Sequence, residues 1–124
     1  VARIFSWKNL AVLWALVILV LTLMPGSDVP AWPWAEAIHF DKLVHAGLFG
    51  VQAILLGLAL MSMVNVRTAF LVALIVAIAY GGIIELLQGE MRMGRDADIF
   101  DLFADAVGAG IAYALLRMRH RTRA

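Results

Sequence analysis

TAFLVALIVAIAYGGIIELL, residues 68–87, decides the class of this protein. Its one charged group is Glu85, in the last turn. A helix crosses the hydrocarbon core of a bilayer with about 20 mostly apolar residues, and this stretch has that length. The whole chain agrees with it. Of 124 residues, 64% are hydrophobic and 15% charged, and the mean hydropathy is +0.91. Soluble domains run at about 45–50% apolar and about 25% charged. A water-soluble fold of this length has too little interior to hide so much apolar surface, so lipid is the better solvent.

Three further stretches outward from this one are long and apolar: residues 4–24, 43–64 and 99–118. Backbone polar groups in lipid must be bonded within the segment, which makes each a helix. The Leu- and Ala-rich composition, without alternation of period two, argues against a barrel. Residues 4–24 carry Lys8 close enough to an end to snorkel and stop at Met24-Pro25-Gly26, a strong helix terminator. Arg3 and Lys8 ahead of an apolar run also resemble a signal peptide, but no small-x-small cleavage site precedes Pro25; the segment reads as a retained span. The expectation is an all-α membrane protein, a single domain over residues 1–124 built as a compact bundle of four transmembrane helices.

Short-loop Lys and Arg residues set the orientation. Arg3, Lys8, Arg67, Arg117, Arg119, Arg121 and Arg123 fall on one side if the spans alternate. The other side has the loop of residues 26–42, with Asp28, Glu36, Asp41 and Lys42, and the loop of residues 88–98, where Glu90, Asp96 and Asp98 offset Arg92 and Arg95. The bias places both termini in the cytoplasm. Trp32-Pro33-Trp34 in the first outer loop suits the headgroup region, where indole rings collect. That loop reads as a belt anchor or as a lid over a site beneath it.

Ionisable residues inside spans are costly and mark functional sites by default. Asp41, His45 and Gln52 share a face of the second span, Gly81, Glu85 and Gln88 a face of the third, and Asp98, Asp101 and Asp105 a face of the fourth. Span topology brings Asp41, His45, Glu85, Gln88, Arg95, Asp98 and Asp101 to the outer ends of their helices. Each also has a plainer reading. Asp41 or Asp98 can be a helix cap, His45 an interhelical hydrogen-bonding group, and the whole set a structural ion-pair network. Glu85 is the hardest to dismiss, because a carboxylate in an apolar span needs a cation, a proton or a metal; Arg95 and Lys42 are its nearest partners in depth. Ala104, Gly108 and Ala112 form a small-xxx-small row, joined by Gly47, Gly50, Gly57, Gly81 and Gly82. Such faces pack helices within a bundle or between copies of the chain, so a homo-oligomer stays open. A net charge of +1 gives no nucleic-acid signature, and the absence of cysteine excludes disulfide and thiolate chemistry.

These pieces resemble the VanZ-like family of small bacterial membrane proteins. The matching residues are Asp41-Lys42-Leu43-Val44-His45-Ala46-Gly47-Leu48-Phe49-Gly50, then Glu85-Leu86-Leu87-Gln88, then Gly94-Arg95-Asp96-Ala97-Asp98-Ile99-Phe100-Asp101-Leu102 and Asp105 to Gly108. Family members often have Ser at the position of Asp98 and Asn at that of Asp105, so this chain carries extra acid in the fourth span. The resemblance implies a multi-pass protein of the bacterial cytoplasmic membrane. Through the family's namesake it implies a link to the cell envelope and to resistance against teicoplanin-type glycopeptide antibiotics.

The residues support functions of different classes. In the preferred reading, an outer-leaflet site binds an anionic lipid headgroup or a lipid-linked envelope precursor: Arg95 and Lys42 engage a phosphate, with Asp41, His45, Glu85, Gln88, Asp98 and Asp101 around them. In the second, an intramembrane hydrolase acts on a phosphate or glycosyl bond of a lipid-linked substrate, with His45, Glu85 and Asp101 as catalytic candidates and Arg95 as charge stabiliser. A variant of the second puts a metal on His45, Glu85 and Asp101, but no H-E-x-x-H or H-x-x-x-H pattern supports it, and no metal or cofactor is expected. His45 with carboxylates also describes a proton relay. The last reading is a structural envelope protein whose polar cluster only holds the helices together.

Overall fold

The computed structural model describes residues 6–24, 32–91 and 97–121. Among these the chain is helical in five segments: α1 (Trp7–Thr22), α2 (Pro33–Ala37), α3 (Phe40–Leu60), α4 (Val66–Met91) and α5 (Ile99–Arg121). The expected terminator Pro25-Gly26, the loop charges Asp28, Arg92 and Asp96, the terminal Arg3 and Arg123, and the site candidate Arg95 lie outside the described residues.

α3, α4 and α5 are each long and apolar enough to cross a membrane. α1 has 16 residues, roughly 24 Å at 1.5 Å per residue, and begins later and ends earlier than the expected 4–24. α3 begins and ends earlier than the expected 43–64, α4 extends past 68–87 at both ends, and α5 begins at 99 as expected and ends at 121; polar residues cap the starts of α4 and α5. Asn65 Oδ1 accepts the Thr68 N–H at 2.9 Å ahead of α4, and Asp98 Oδ1 accepts the Phe100 N–H at 2.9 Å ahead of α5. Each satisfies a backbone donor that the helix itself cannot.

The packing is inverted relative to a soluble protein. Large apolar side chains such as Leu13, Leu16, Ile75, Ile83, Phe103 and Leu115 point outward, while the interior is built largely from small residues, with Ala53, Ala77, Ala109 and Ala112 in one cluster. Lipid supplies no hydrophobic force between helices, so close backbone approach and dispersion hold the bundle together. α3 is its hub and packs on α1, α2, α4 and α5. Where α3 crosses α5, a Cβ added to Gly108 would fall inside the backbone of Ala46. Gly50 lies against Gly108, where a Cβ would come 3.1 Å from the Gly108 carbonyl oxygen. Ala104, Gly108 and Ala112 are all buried, so this row works within the bundle. Gly47 and Gly82, grouped with it from sequence, instead face open space.

α1 is fastened to α3 and α4 by side-chain hydrogen bonds to backbone carbonyls. Trp14 Nε1 donates to Leu48 O (2.8 Å), Gln52 Nε2 to Ala11 O (3.2 Å), Tyr80 Oη to Ala15 O (2.5 Å) and Gln88 Nε2 to Thr22 O (2.5 Å). An apolar groove of about 580 Å³ runs between α1, α3 and α4, with Lys8 and Met63 in its lining. It contains none of the acidic residues. Charge, not concavity, marks the site in this molecule.

Candidate polar site at one end of the bundle

α1 ends, α3 begins, α4 ends and α5 begins at the same end of the bundle. The approach to it is made by α2. Pro33 at the first helical position has the fixed φ that a helix start needs. Trp32 and Trp34 stack at 6.0 Å between centroids, and Trp34 tilts onto Phe40 at 5.7 Å. Both indoles are exposed, as the headgroup region requires. His39, in the left-handed conformation with φ 54°, turns the chain from α2 into α3.

The outer layer of the site is organised by Lys42. Its Nζ donates to Asp41 Oδ2 at 2.9 Å, Asp98 Oδ2 at 2.6 Å and Asp101 Oδ1 at 2.5 Å, which uses all three ammonium hydrogens. The side chains of Asp41 and Asp98 are 58% and 38% exposed, that of Asp101 only 10%. The hydrogen bond from Lys42 holds the Asp98 carboxyl below its ordinary value of 3.8, with help from the Phe100 N–H. Asp98 is therefore a helix cap and an ion-pair partner together, although its two sequence readings were alternatives.

Beneath lies a buried layer. His45 Nδ1 and Asp105 Oδ1 are 2.7 Å apart, and His45 Nε2 lies 3.6 Å from Asp101 Oδ2. Asp101 joins the layers, one oxygen on Lys42 and the other facing the imidazole. Glu85 Oε2 accepts the backbone N–H of Asp98 at 2.8 Å and so ties the end of α4 to the start of α5. The imidazole stacks on Phe49 at 6.3 Å, and Phe49 is tilted against Tyr80 at 5.9 Å, which fixes the ring plane.

The structure thus brings Asp41, Lys42, His45, Glu85, Asp98 and Asp101 together. Gln88 is not engaged with them; its amide is bonded to the end of α1. Arg95 lies outside the described residues. The nearer partner of His45 is Asp105, where the sequence singled out Glu85 and Asp101; of these two, Asp101 faces the other imidazole nitrogen. The spacing of four between Asp101 and Asp105 was the available signal, since it sets both on the face that meets α3. Lys42, expected to be free for a phosphate, is enclosed by carboxylates because three of them reach it from two helices. Chemically, the site offers hydrogen-bond acceptors at its rim and a histidine positioned by a buried carboxylate beneath.

The family model for VanZ/LLP1 matches residues 5–120, which covers the five helices but for Arg121 at the end of α5. No curated protein and no solved structure matches the chain.

Proposed function

Because the chain belongs to the VanZ/LLP1 family of membrane proteins, we propose that its polar end is an outer-leaflet site for the headgroup of a lipid or lipid-linked cell-envelope precursor. The observation that carries this reading is the rim, where Asp41 and Asp98 expose their carboxylates and Trp34, stacked on Trp32, packs on Phe40, the residue before Asp41. A ligand with a polar head and an apolar tail meets both surfaces at once. With Lys42 fully engaged, the rim carboxylates recognise hydrogen-bond donors, such as the hydroxyls of a sugar or the ammonium of an aminated headgroup. Arg95, on the grounds of its sequence position, takes the phosphate. The ligand class is therefore a headgroup with both a phosphate and donor groups. In this arrangement both termini face the cytoplasm of a bacterial cell, and a role in glycopeptide resistance would follow from capture of an envelope precursor.

Native mass spectrometry of the protein extracted gently from its own membrane tests the reading. A discrete lipid mass that is lost in Arg95→Ala and weakened in Asp98→Asn supports it. A lipid-free wild type removes it.

The His45–Asp105 pair favours a second reading, hydrolysis of a lipid-linked phosphate or glycosyl bond. A carboxylate on Nδ1 fixes the imidazole tautomer and stabilises its protonated form, as a general base requires. Product formation from a lipid-linked phosphate, abolished in His45→Ala while lipid capture persists, would select this reading over simple binding.

A further inference from the structure

We propose that His45, Glu85 and Asp105 form a buried site for one divalent transition-metal ion between α3, α4 and α5. This inference does not depend on the headgroup reading.

The described residues contain two groups of three acid or imidazole side chains close enough to share an ion. They are Asp41, Asp98 and Asp101, and His45, Glu85 and Asp105, with ligand atoms in each group within 4.8 Å of one another. The first group already has its cation, Lys42 Nζ. No Lys or Arg side chain is bonded to the second among the described residues. His45, Glu85 and Asp105 are 3%, 6% and 0% exposed. Glu85 gives Oε2 to the Asp98 N–H and Asp105 gives Oδ1 to His45, which leaves Glu85 Oε1 and Asp105 Oδ2 buried with no hydrogen-bond partner. Two bare carboxylate oxygens in one buried cluster are strongly unfavourable unless something positive lies between them.

Gly81 shows that space is kept for the second of these oxygens. It stands one turn before Glu85 on α4, and a Cβ there would come within 2.6 Å of Asp105 Oδ2. Any other residue at this position would displace the Asp105 carboxylate.

The donor set defines the ion. One imidazole nitrogen and two carboxylates suit Zn²⁺, Mn²⁺ or Fe²⁺, whereas Mg²⁺ and Ca²⁺ prefer oxygen shells. Two carboxylates and a neutral imidazole balance a divalent charge. Bonds of about 2.0–2.2 Å require neighbouring ligand atoms roughly 3–3.5 Å apart, so small side-chain rotations close the triangle. The His45–Asp105 hydrogen bond is then exchanged for two metal bonds. Three protein ligands leave a coordination position open.

The test is metal content and affinity of tag-free protein in detergent. The protein is stripped with EDTA and titrated with Zn²⁺ and Mn²⁺, and bound ion is counted by inductively coupled plasma mass spectrometry. A single ion per chain is expected, with a rise in unfolding temperature on binding. Glu85→Gln and Asp105→Asn keep the shape and should each weaken binding by more than about tenfold, while Asp41→Asn leaves it unchanged. Visible absorption of the Co²⁺-loaded wild type, bleached by Zn²⁺, gives an answer even if a variant fails to fold. An ion-free wild type with both metals, or equal binding in folded Glu85→Gln and Asp105→Asn, overturns the proposal and assigns a proton to the bare oxygens.

Discussion

Gly108 of α5 lies against the backbone of Ala46 of α3 so closely that no Cβ fits between them. One turn past Lys42 on α3 and about one turn past Asp105 on α5, this contact sets how near the two helices come at the polar site. It is what allows Lys42 and His45 to reach Asp101 and Asp105 across the interface.

Gly108→Ala should therefore damage the protein far more than a methyl group suggests. Overpacking in a core costs about 1–3 kcal/mol and occasionally more, and here the obstacle is backbone, which cannot rotate away. Gly47→Ala and Gly82→Ala, where the added Cβ meets nothing within 4 Å, should stay within about 0.5 kcal/mol of wild type. Equilibrium unfolding in mixed micelles with increasing dodecyl sulfate measures all three. Equal sensitivity among them would refute the close crossing.

Asp105→Ala removes the only carboxylate within hydrogen-bonding distance of His45 Nδ1 among the described residues. The cost of leaving that buried nitrogen unpaired is about 1–3 kcal/mol. The imidazole should also lose its fixed orientation, seen as broadening of the His45 ring signals in nitrogen-15 spectra. A sharp, unshifted signal would mean that Phe49 stacking alone holds the ring.

The Lys42–Asp98 pair gives a pH dependence with a definite sign. The Asp98 carboxyl is depressed in the folded protein, so the stability it contributes is fully present above the unfolded value, about 3.9. It is lost as pH falls through the folded value. In Lys42→Met the largest cause of the depression is removed while the Phe100 N–H remains, and the Asp98 carboxylate should protonate at higher pH than in wild type. Carboxylate infrared bands, assigned by comparison with Asp98→Asn, would follow this directly; identical titration in both proteins would show that Lys42 is not its principal partner.

Tyr80→Phe and Gln88→Leu each delete one side-chain bond that fastens α1. Intramembrane hydrogen bonds average about 0.6 kcal/mol with a maximum near 1.7, so each loss should be modest. Their acceptors, Ala15 and Thr22, stand roughly 10 Å apart along α1, and the effects should add. The readout is the rate of labelling of a cysteine introduced at Ala11, a residue buried against the bundle, which should rise stepwise from single to double variant.

Much of this protein could be read from its sequence because lipid imposes a simple rule. Residues 68–87 must be helical for lack of water to satisfy their backbone, and the same logic located α3 and α5. Depth was legible too. Alternation of spans alone puts His45, Glu85 and Asp101 at one end of the bundle. Spacings of three and four put Asp98, Asp101 and Asp105 on one face.

Partnership was not legible, because which face of α5 meets which face of α3 depends on where backbones can touch, and Gly108 against Ala46 decides that in three dimensions. Only the tertiary structure gave Asp105 to His45, enclosed Lys42 among three carboxylates, turned Gln88 towards α1 and left Glu85 Oε1 and Asp105 Oδ2 bare. Sequence alone sets the solvent, the long apolar helices and the end of the bundle at which His45, Glu85 and Asp101 lie, since these follow from local transfer energies. The pairing of charges is a property of helix rotation and approach, which only packing determines.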